Sequence, residues 1–277
     1  MSATLDKARG TLAGFERQEL VLGGIRTVVH SAGEGTPLVF LHGAGTFTGF
    51  SYARGWTRTH RVIIPYHPGF GESADDARID VIGDYALHCL DLFDALSLGR
   101  LHLVGYSFGG WMAAETALLQ PDRVARLALV APSGLVVRDP PAADLLALHP
   151  REVPAHLMHR PERLTPFMPE GHDIDFLALR YREQTALARV VWERPSGNPK
   201  LERWLHRLRM PTLLLWGEHD RVRPLAHAEC WRAALPNARL EAVPDAGHLV
   251  LEESAEAADR IAAFLAGEPG SERGRQA

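Results

Sequence analysis

The sequence predicts an α/β protein with a mostly parallel, doubly wound sheet of eight strands and an inserted helical segment. Continuous apolar runs of strand length recur along the chain between stretches of helical periodicity, which is typical of a parallel sheet covered on both faces. A strand-free, proline-rich stretch, residues 133–198 (the inserted segment), interrupts this alternation. The composition of the 277 residues, 46% apolar and 23% charged, is that of a globular protein and excludes a disordered or collagen-like chain.

Each predicted element follows from a local pattern. The first two strands lie within residues 15–31, on either side of Gly23-Gly24, because two glycines favour a hairpin turn. The other six strands are the apolar runs at residues 38–41, 61–64, 101–106, 124–131, 211–216 and 240–243. Helical spacing predicts helices at residues 85–96, 107–120, 142–148, 173–193 and 253–265.

The order of these elements divides the chain into three parts. Residues 15–132 and 199–266 are predicted to form the sheet-containing core, and the inserted segment is predicted to form a helical cap over the edge of the sheet. The tail, residues 267–277, is rich in glycine and charge and is predicted to be disordered.

Charge and cysteine content narrow the class of protein. The chain has 30 Lys and Arg against 34 Asp and Glu, with no basic run, so we expect neither a nucleic-acid nor a membrane partner. Residues Met1–Phe15 lack the apolar run of a signal peptide, and no stretch has the length of a membrane span, so we expect a cytoplasmic protein. Cys89 and Cys230 are predicted to be buried free thiols, and the sequence leaves monomer and homodimer open.

A candidate nucleophile lies in Gly105-Tyr106-Ser107-Phe108-Gly109, between a predicted strand and a predicted helix. A tight turn there forces the serine into a strained backbone conformation and exposes its hydroxyl group. The glycines two residues before and after avoid a collision, and the helix N-terminus offers N–H groups to a developing oxyanion. The pattern predicts Ser107 as a nucleophile.

A serine nucleophile needs a general base and a carboxylate that orients it. His248, one of 14 histidines, lies in the turn after the last predicted strand, where the edge of the sheet would present it. Asp220 follows the strand before that one and is the predicted carboxylate, with Glu218 as a weaker competitor. Asp245 is closer to His248 in sequence, but we expect it to cap its own turn.

On these motifs, the chain resembles the capped serine hydrolases of the α/β-hydrolase fold superfamily (carboxylesterases and meta-cleavage-product hydrolases), over residues 16–265. In that family Ser–Asp–His is the usual chain order of the catalytic triad. The stretch His42-Gly43-Ala44-Gly45 matches the family's oxyanion loop, which implies the N–H groups of Ala44 and Phe108 as the oxyanion donors. The resemblance implies hydrolysis of a small to medium ester, thioester or lactone through an acyl-enzyme, with no cofactor.

Two alternatives stay open. Carbon–carbon hydrolases of ring meta-cleavage products resemble this chain and use the same triad. They typically carry Asn before the serine, Met after it, and an aromatic residue or Cys after the histidine, where this chain has Tyr106, Phe108 and Leu249. An acidic substrate of that kind could be held by Arg180 or Arg182. The other alternative is a small-molecule receptor with slow turnover.

An apolar substrate pocket is predicted over the nucleophile, although aromatic and methionine side chains also form ordinary cores. Such a pocket suits a medium acyl or aromatic group. The predicted lining residues are Phe47, Phe50, Met158, Phe167, Met168, Phe176, Trp192 and Leu249. No metal site is expected, because the pair His156 and His159 has no acidic partner motif nearby.

Overall fold

Eight strands form one sheet in the structure, a computed structural model that describes residues 2–193 and 197–267. The strands are β1 (Glu16–Leu22), β2 (Ile25–Ala32), β3 (Thr36–Leu41), β4 (His60–Pro65), β5 (Leu101–Tyr106), β6 (Val124–Val130), β7 (Thr212–Gly217) and β8 (Ala238–Val243). They lie in the order β1-β2-β4-β3-β5-β6-β7-β8, and β2 pairs antiparallel with β1 and β4 while all other pairs are parallel. The predicted fold class is confirmed, and the sheet is consistent with the α/β-hydrolase fold.

Helices cover both faces of the sheet. The α-helices are α1 (Ala3–Gly10), α2 (Ile82–Ala95), α3 (Phe108–Leu119), α4 (Val153–Leu157), α5 (Ile174–Val191), α6 (Leu201–Trp204), α7 (Leu225–Ala234), α8 (Val250–Glu253) and α9 (Ala255–Ala266). Short 3-10 helices occur at Ser51–Arg58, Pro121–Arg123, Pro161–Phe167 and Leu205–Arg207. Helices α2, α3 and α7 pack on one face, and α9 packs on the other together with Ser51–Arg58.

Successive side chains of the central strands enter different cores. In β5, Leu103 packs among the residues of α2 and α3, and Val104 packs on the opposite face near α9. Trp56 joins the 3-10 helix Ser51–Arg58 to α9 on the second face, because its indole Nε1 donates to the carbonyl oxygen of Ala258 at 2.9 Å. Burial on both faces explains why these strands are continuous apolar runs rather than alternating ones.

The inserted segment consists of α4, α5, one 3-10 helix and turns, apart from a single bridge between Arg138 and Pro141, wherever the structure describes it. The helix predicted at 173–193 is confirmed as α5, which begins after Asp173, whose carboxylate accepts the N–H of Phe176 at 3.0 Å. The division into core and cap stays a prediction.

The helix predicted at residues 142–148 is wrong, because this stretch forms turns. The N–H of Ala143 donates to the carbonyl oxygen of Val222, and the side chain of Asp144 accepts the N–H of Leu146 at 3.0 Å. The second contact uses an N–H that a helix over these residues would need for its bond to the carbonyl oxygen of Ala142, and the first ties the start of the stretch to the segment after Asp220.

The two ends of the chain depart from the prediction in detail. The helix predicted at 253–265 is confirmed as α9, which begins at Ala255 because the extended backbone of Ser254 separates it from α8. Helix α1 was not predicted, and its Lys7 donates to the carbonyl oxygen of Pro166 in the inserted segment at 2.9 Å. Of the predicted tail, Gly267 ends α9, and residues 268–277 lie outside the described residues.

Both cysteines are free thiols, as predicted. Cys89 is buried in α2, and burial raises its pKa to about 12. Cys230 in α7 is only partly buried, which differs from the prediction. Within residues 2–193 and 197–267, no helix combines the length and the apolar character that crossing a bilayer requires.

Truncating a side chain that the sheet buries tests this packing. Leu214 of β7 is fully buried, so Leu214→Ala should lower the free energy of unfolding by about 2–5 kcal/mol through lost burial and a residual cavity. Leu119 is 52% exposed, so the matched variant Leu119→Ala should change it by less than about 0.5 kcal/mol. Urea titration followed by circular dichroism measures both values, and equal losses would contradict the assigned packing.

Candidate active site

The turn between β5 and α3 holds Ser107 in a left-handed backbone conformation, with φ 51° and ψ −112°. Its N–H donates to Val130 of the neighbouring strand at 2.8 Å, and its carbonyl oxygen accepts the N–H of Ser133 at 2.9 Å. A Cβ on Gly105 would lie 2.7 Å from that of Ala113, so only glycine fits there. The turn therefore has the strain and the crowding that the sequence motif predicts.

The structure brings the three predicted triad residues together. His248 Nε2 lies 2.8 Å from Ser107 Oγ, and His248 Nδ1 lies 2.8 Å from Asp220 Oδ2. His248 and Asp220 are buried, and Ser107 is half-buried. A histidine that donates from Nδ1 to a carboxylate leaves Nε2 free to accept the proton of the serine hydroxyl.

Backbone donors orient the carboxylate of Asp220. Its Oδ1 accepts the N–H groups of Val222 at 2.8 Å and Arg223 at 2.7 Å, so Oδ2 alone faces the histidine. Of the two competitors, Glu218 is exposed, and the side chain of Asp245 is 70% exposed and faces away to His159 and Arg160. The structure thus brings Asp220, and neither competitor, to His248.

A buried network behind the histidine was not foreseen from the sequence. The hydroxyl of Tyr106 donates to the carbonyl oxygen of His248 at 2.9 Å and lies 3.1 Å from Glu252 Oε2. Thr48 donates to the other oxygen of Glu252 at 2.9 Å. Burial raises the pKa of Glu252, against the lowering effect of the hydrogen bonds that it accepts from Thr48 and Tyr106. The network fixes the backbone of His248.

The two predicted oxyanion donors lie beside the nucleophile. Phe108 is the first residue of α3, where N–H groups have no acceptor within the helix. Ala44 follows Gly43, at which an added Cβ would lie 3.6 Å from Ser107 Cβ. The backbone of both residues is therefore available around Ser107 for binding a negatively charged oxygen.

Two stacked histidines hold the loop that carries Ala44. The rings of His42 and His67 are 3.8 Å apart. His42 Nδ1 donates to the carbonyl oxygen of Gly43 at 2.7 Å, and its Nε2 accepts the N–H of His67 at 3.3 Å, which assigns a neutral ring. Burial lowers the pKa of His42 to about 4, against the opposing effect of the bond to Gly43, and lowers that of His67 well below its usual value. Both rings stay uncharged at neutral pH.

Helix α5 of the inserted segment contacts the same loop through Glu183 and Arg180. The fully buried carboxylate of Glu183 accepts the hydroxyl of Thr46 at 2.5 Å and the N–H of Gly71 at 3.2 Å. Arg180 pairs with Glu183 at 3.3 Å, and a Cβ on Gly45 would lie 2.7 Å from its Nη1. Of the two arginines considered from the sequence, Arg180 therefore reaches the loop of Ala44.

A second buried acid, Glu253, joins the inserted segment to the loop that precedes His248. Its Oε2 accepts the N–H groups of Gly247 at 2.7 Å and His159 at 3.0 Å, and its Oε1 accepts that of Arg160 at 3.0 Å. Sequence reasoning missed Glu253 and Glu183, because an acceptor of backbone N–H groups imposes no residue pattern on its partners.

Five of the eight predicted pocket residues pack together in one apolar cluster with Leu5 and Leu164. These five are Phe47, Met158, Phe167, Phe176 and Leu249. Leu249 adjoins His248, so the cluster lies against the triad, and the role of its members in substrate binding stays a prediction.

The other three predicted pocket residues lie elsewhere. Phe50 packs against Phe40 and Tyr66 in the core, because the chain turns there into the 3-10 helix on the far face of the sheet. Met168 is 43% exposed after the 3-10 helix of the inserted segment, and Trp192 is 75% exposed after the end of α5. For these three residues the structure corrects the pocket prediction.

Comparison with known proteins identifies a family. Residues 38–264 match the sequence profile described as the alpha/beta hydrolase family. The match begins in β3 and ends in α9, and so includes Ser107, Asp220 and His248.

Individual relatives span most of the chain. The dihydrolipoyllysine-residue acetyltransferase component of the acetoin cleaving system of Pseudomonas putida is 32% identical over 83% of this chain, which spans only 64% of that protein. The 2-hydroxy-6-oxo-6-phenylhexa-2,4-dienoate hydrolase of Burkholderia cepacia is 28% identical over 87% of this chain and 91% of its own length. The crystal structure of a membrane phospholipase A superposes with a TM-score of 0.71 at 26% identity, covering 95% of this chain and 90% of that one.

Crowding at the nucleophile turn can be tested with two glycines. A Cβ on Gly109 would collide with the carbonyl oxygens of Leu41 and His42, so Gly109→Ala should lower the free energy of unfolding by about 1–3 kcal/mol or more. Gly83 in α2 has no atom within 4 Å of an added Cβ, so Gly83→Ala should leave stability unchanged or raise it by up to about 1 kcal/mol. Thermal and urea unfolding measure both, and a fully stable Gly109→Ala variant would refute the geometry of the turn.

Acid should destabilise the protein through His42. The unfolded chain binds a proton at the usual pKa near 6.5, whereas burial lowers the folded pKa to about 4, so stability should fall as the pH falls between these values. Protonation of His42 contributes up to about 1.4 kcal/mol per pH unit to this loss. The free energy of unfolding of His42→Gln should therefore fall less steeply with pH than that of the wild type, by up to this amount per pH unit. His206→Gln, at an exposed histidine, serves as the control. Identical slopes for His42→Gln and the wild type would rule out a neutral, buried His42.

Proposed function

The chain belongs to the alpha/beta hydrolase family and is an enzyme, and we propose that it hydrolyses a small to medium ester, thioester or lactone through an acyl-enzyme on Ser107. One observation carries the proposal. His248 is within 2.8 Å of both Ser107 Oγ and Asp220 Oδ2, which is the hydrogen-bonded relay that activates a serine.

The proposed reaction assigns a role to each of these groups. Ser107 Oγ attacks the carbonyl carbon while His248 Nε2 accepts the hydroxyl proton, and the N–H groups of Ala44 and Phe108 bind the oxyanion that forms. His248 then gives the proton to the leaving alcohol or thiol, and the acyl group stays on Ser107. Water attacks the acyl-enzyme while His248 takes a proton from it, and His248 returns that proton to Ser107 Oγ as the bond to the acyl group breaks and the acid product leaves. Asp220 orients the imidazole and stabilises its positive charge.

The surroundings of Ser107 support a substrate with an apolar acyl or aromatic part. The apolar cluster that contains Phe47, Met158 and Phe176 also includes Leu249, the residue after His248. Side chains of this kind gain free energy by removing apolar substrate surface from water. A cytoplasmic location and a monomeric or homodimeric state stay predictions from the sequence.

Carbon–carbon bond hydrolysis of a ring meta-cleavage product is a second candidate, and Arg180 favours it. Its guanidinium adjoins Gly45 and stacks over the ring of Phe47 at 4.5 Å, which places N–H donors near the oxyanion loop for an acidic substrate, in competition with the carboxylate of Glu183. The dienoate hydrolase of Burkholderia cepacia is a relative over most of the chain. Against this candidate, Tyr106, Phe108 and Leu249 depart from the residues typical of such enzymes.

Substitution of the nucleophile and the acid tests the proposed function. Hydrolysis of p-nitrophenyl acetate, butyrate and octanoate should fall about 10⁴–10⁶-fold in kcat for Ser107→Ala and about 10⁴-fold for Asp220→Asn. Glu218→Gln replaces an exposed carboxylate two residues from Asp220 and should keep wild-type kcat. The preferred acyl length measures the size of the pocket.

The outcomes separate the candidates. Retention of a tenth of the activity by Ser107→Ala would refute the nucleophile. No ester hydrolysis by folded wild type, together with turnover of 2-hydroxy-6-oxo-6-phenylhexa-2,4-dienoate, would establish the second candidate. Tight binding of a small molecule with turnover far below about 1 per second would establish the receptor alternative.

A further inference from the structure

His159, His219 and Asp245 meet outside the triad, and their ligating atoms all lie within 4.8 Å of one another. They come from three separate segments. His159 follows α4, His219 immediately precedes Asp220, and Asp245 comes three residues before His248. We propose that these side chains bind a divalent transition-metal ion such as Zn²⁺, which joins the inserted segment to the two loops that carry Asp220 and His248.

The donor spacing is close to that of a metal site. Nitrogen and oxygen ligands lie about 2.0–2.2 Å from Zn²⁺, which places tetrahedral ligands about 3.4 Å apart. His159 Nε2 is 3.9 Å from Asp245 Oδ1, and no pair of ligating atoms in the cluster exceeds 4.8 Å. The side chains of His219 and Asp245 are exposed, so they can rotate by the remaining distance without disturbing a core.

The backbone of two ligands is already fixed. The N–H of His159 donates to the buried carboxylate of Glu253 at 3.0 Å, and the N–H of His219 donates to the carbonyl oxygen of Ala246 at 2.9 Å. Binding an ion would therefore order side chains rather than chain segments, which lowers its entropic cost.

The chemistry of the donors selects the class of ion. The imidazoles of His159 and His219 are stacked 3.9 Å apart, so the exposed ring of His219 must rotate before both rings can aim their in-plane lone pairs at one ion. Two imidazoles and one carboxylate suit Zn²⁺, Ni²⁺ or Cu²⁺, whereas Mg²⁺ and Ca²⁺ prefer oxygen ligands. Three protein ligands leave a coordination position for water.

One neighbouring cation opposes metal binding. Arg160 Nη2 lies 4.0 Å from Asp245 Oδ2, whereas Oδ1 of the same carboxylate faces His159. The carboxylate can therefore serve the ion and the arginine with different oxygens. The positive charge of Arg160 still repels a divalent ion bound nearby, so removing this charge should strengthen metal binding.

The sequence hid this cluster because its members are remote along the chain. The three-residue spacing pairs His159 with His156 in the sequence, but His156 is not part of the cluster. His159 acquires its partners only when the end of α4 lies against the loop of His248, where the carbonyl oxygen of Leu157 accepts the N–H of Leu249 at 2.8 Å.

Calorimetric titration of the tag-free protein with ZnCl₂ at pH 7.5 tests the proposal. The wild type should bind one ion per chain with a Kd of about 1–10 μM, and its Tm should rise with zinc. The double variant His159→Ala/His219→Ala should bind at least about tenfold more weakly, as should Asp245→Asn. Arg160→Ala should bind more tightly, and the control His172→Ala, at an exposed histidine of the inserted segment, should match the wild type.

Three results would overturn the site. These are no stoichiometric binding by the wild type at about 100 μM zinc, equal binding by the double variant, and competition by Mg²⁺ at millimolar concentration. If the double variant fails to fold, Asp245→Asn decides, because its carboxylate is 70% exposed. Co²⁺ replacement adds a spectroscopic readout, since a nitrogen-ligated tetrahedral ion absorbs visible light. These experiments measure metal binding and thermal stability, and none of them uses hydrolytic activity. Their outcome therefore does not depend on the proposed function.

Discussion

The left-handed backbone of Ser107 is the constraint on which the rest of the site depends. An ordinary side chain at that φ costs about 1–3 kcal/mol, and the surroundings must compensate for it. The hydrogen bonds of Ser107 to Val130 and Ser133 do so by tying the turn to β6 and to the segment that follows it. The strain places the hydroxyl at the edge of the sheet, where β7 and β8 deliver Asp220 and His248.

Buried acids organise the loops around that edge. Glu183, Glu252 and Glu253 each accept hydrogen bonds from a different side of the site. Burial of a carboxyl group is costly unless its oxygens are satisfied, so each acid holds its donors in one arrangement. The loops can thus be irregular in conformation and still have defined positions.

The parts of the fold and site that the sequence predicted are those with local patterns. The strands are apolar runs, Gly105 and Gly109 bracket the serine, and helical spacing gave α5. The misplaced helix at 142–148 has the composition of a helix, but its backbone groups bond to Val222 and to the side chain of Asp144. In the sequence, Asp220 differs from Glu218 only in its position after the strand. In the fold the two carboxylates differ in burial, since Asp220 is buried and Glu218 is exposed.

Contacts between single side chains that are distant along the chain have no local pattern in the sequence, so the sequence did not predict them. Phe50 and Phe47 are three residues apart and look equivalent in sequence. The chain carries the first into the core and the second to the inserted segment. The network of Tyr106, Glu252 and Thr48 likewise joins three distant positions.

Glu183 couples the position of α5 to that of the loop that carries Ala44. Its carboxylate is bonded both to Thr46, two residues after Ala44, and to Gly71. Moving α5 away from the sheet would release both contacts together and hydrate a carboxylate that is now dry. The loop that carries Ala44 would then lose this anchor, so the position of the proposed oxyanion donor depends on the position of α5.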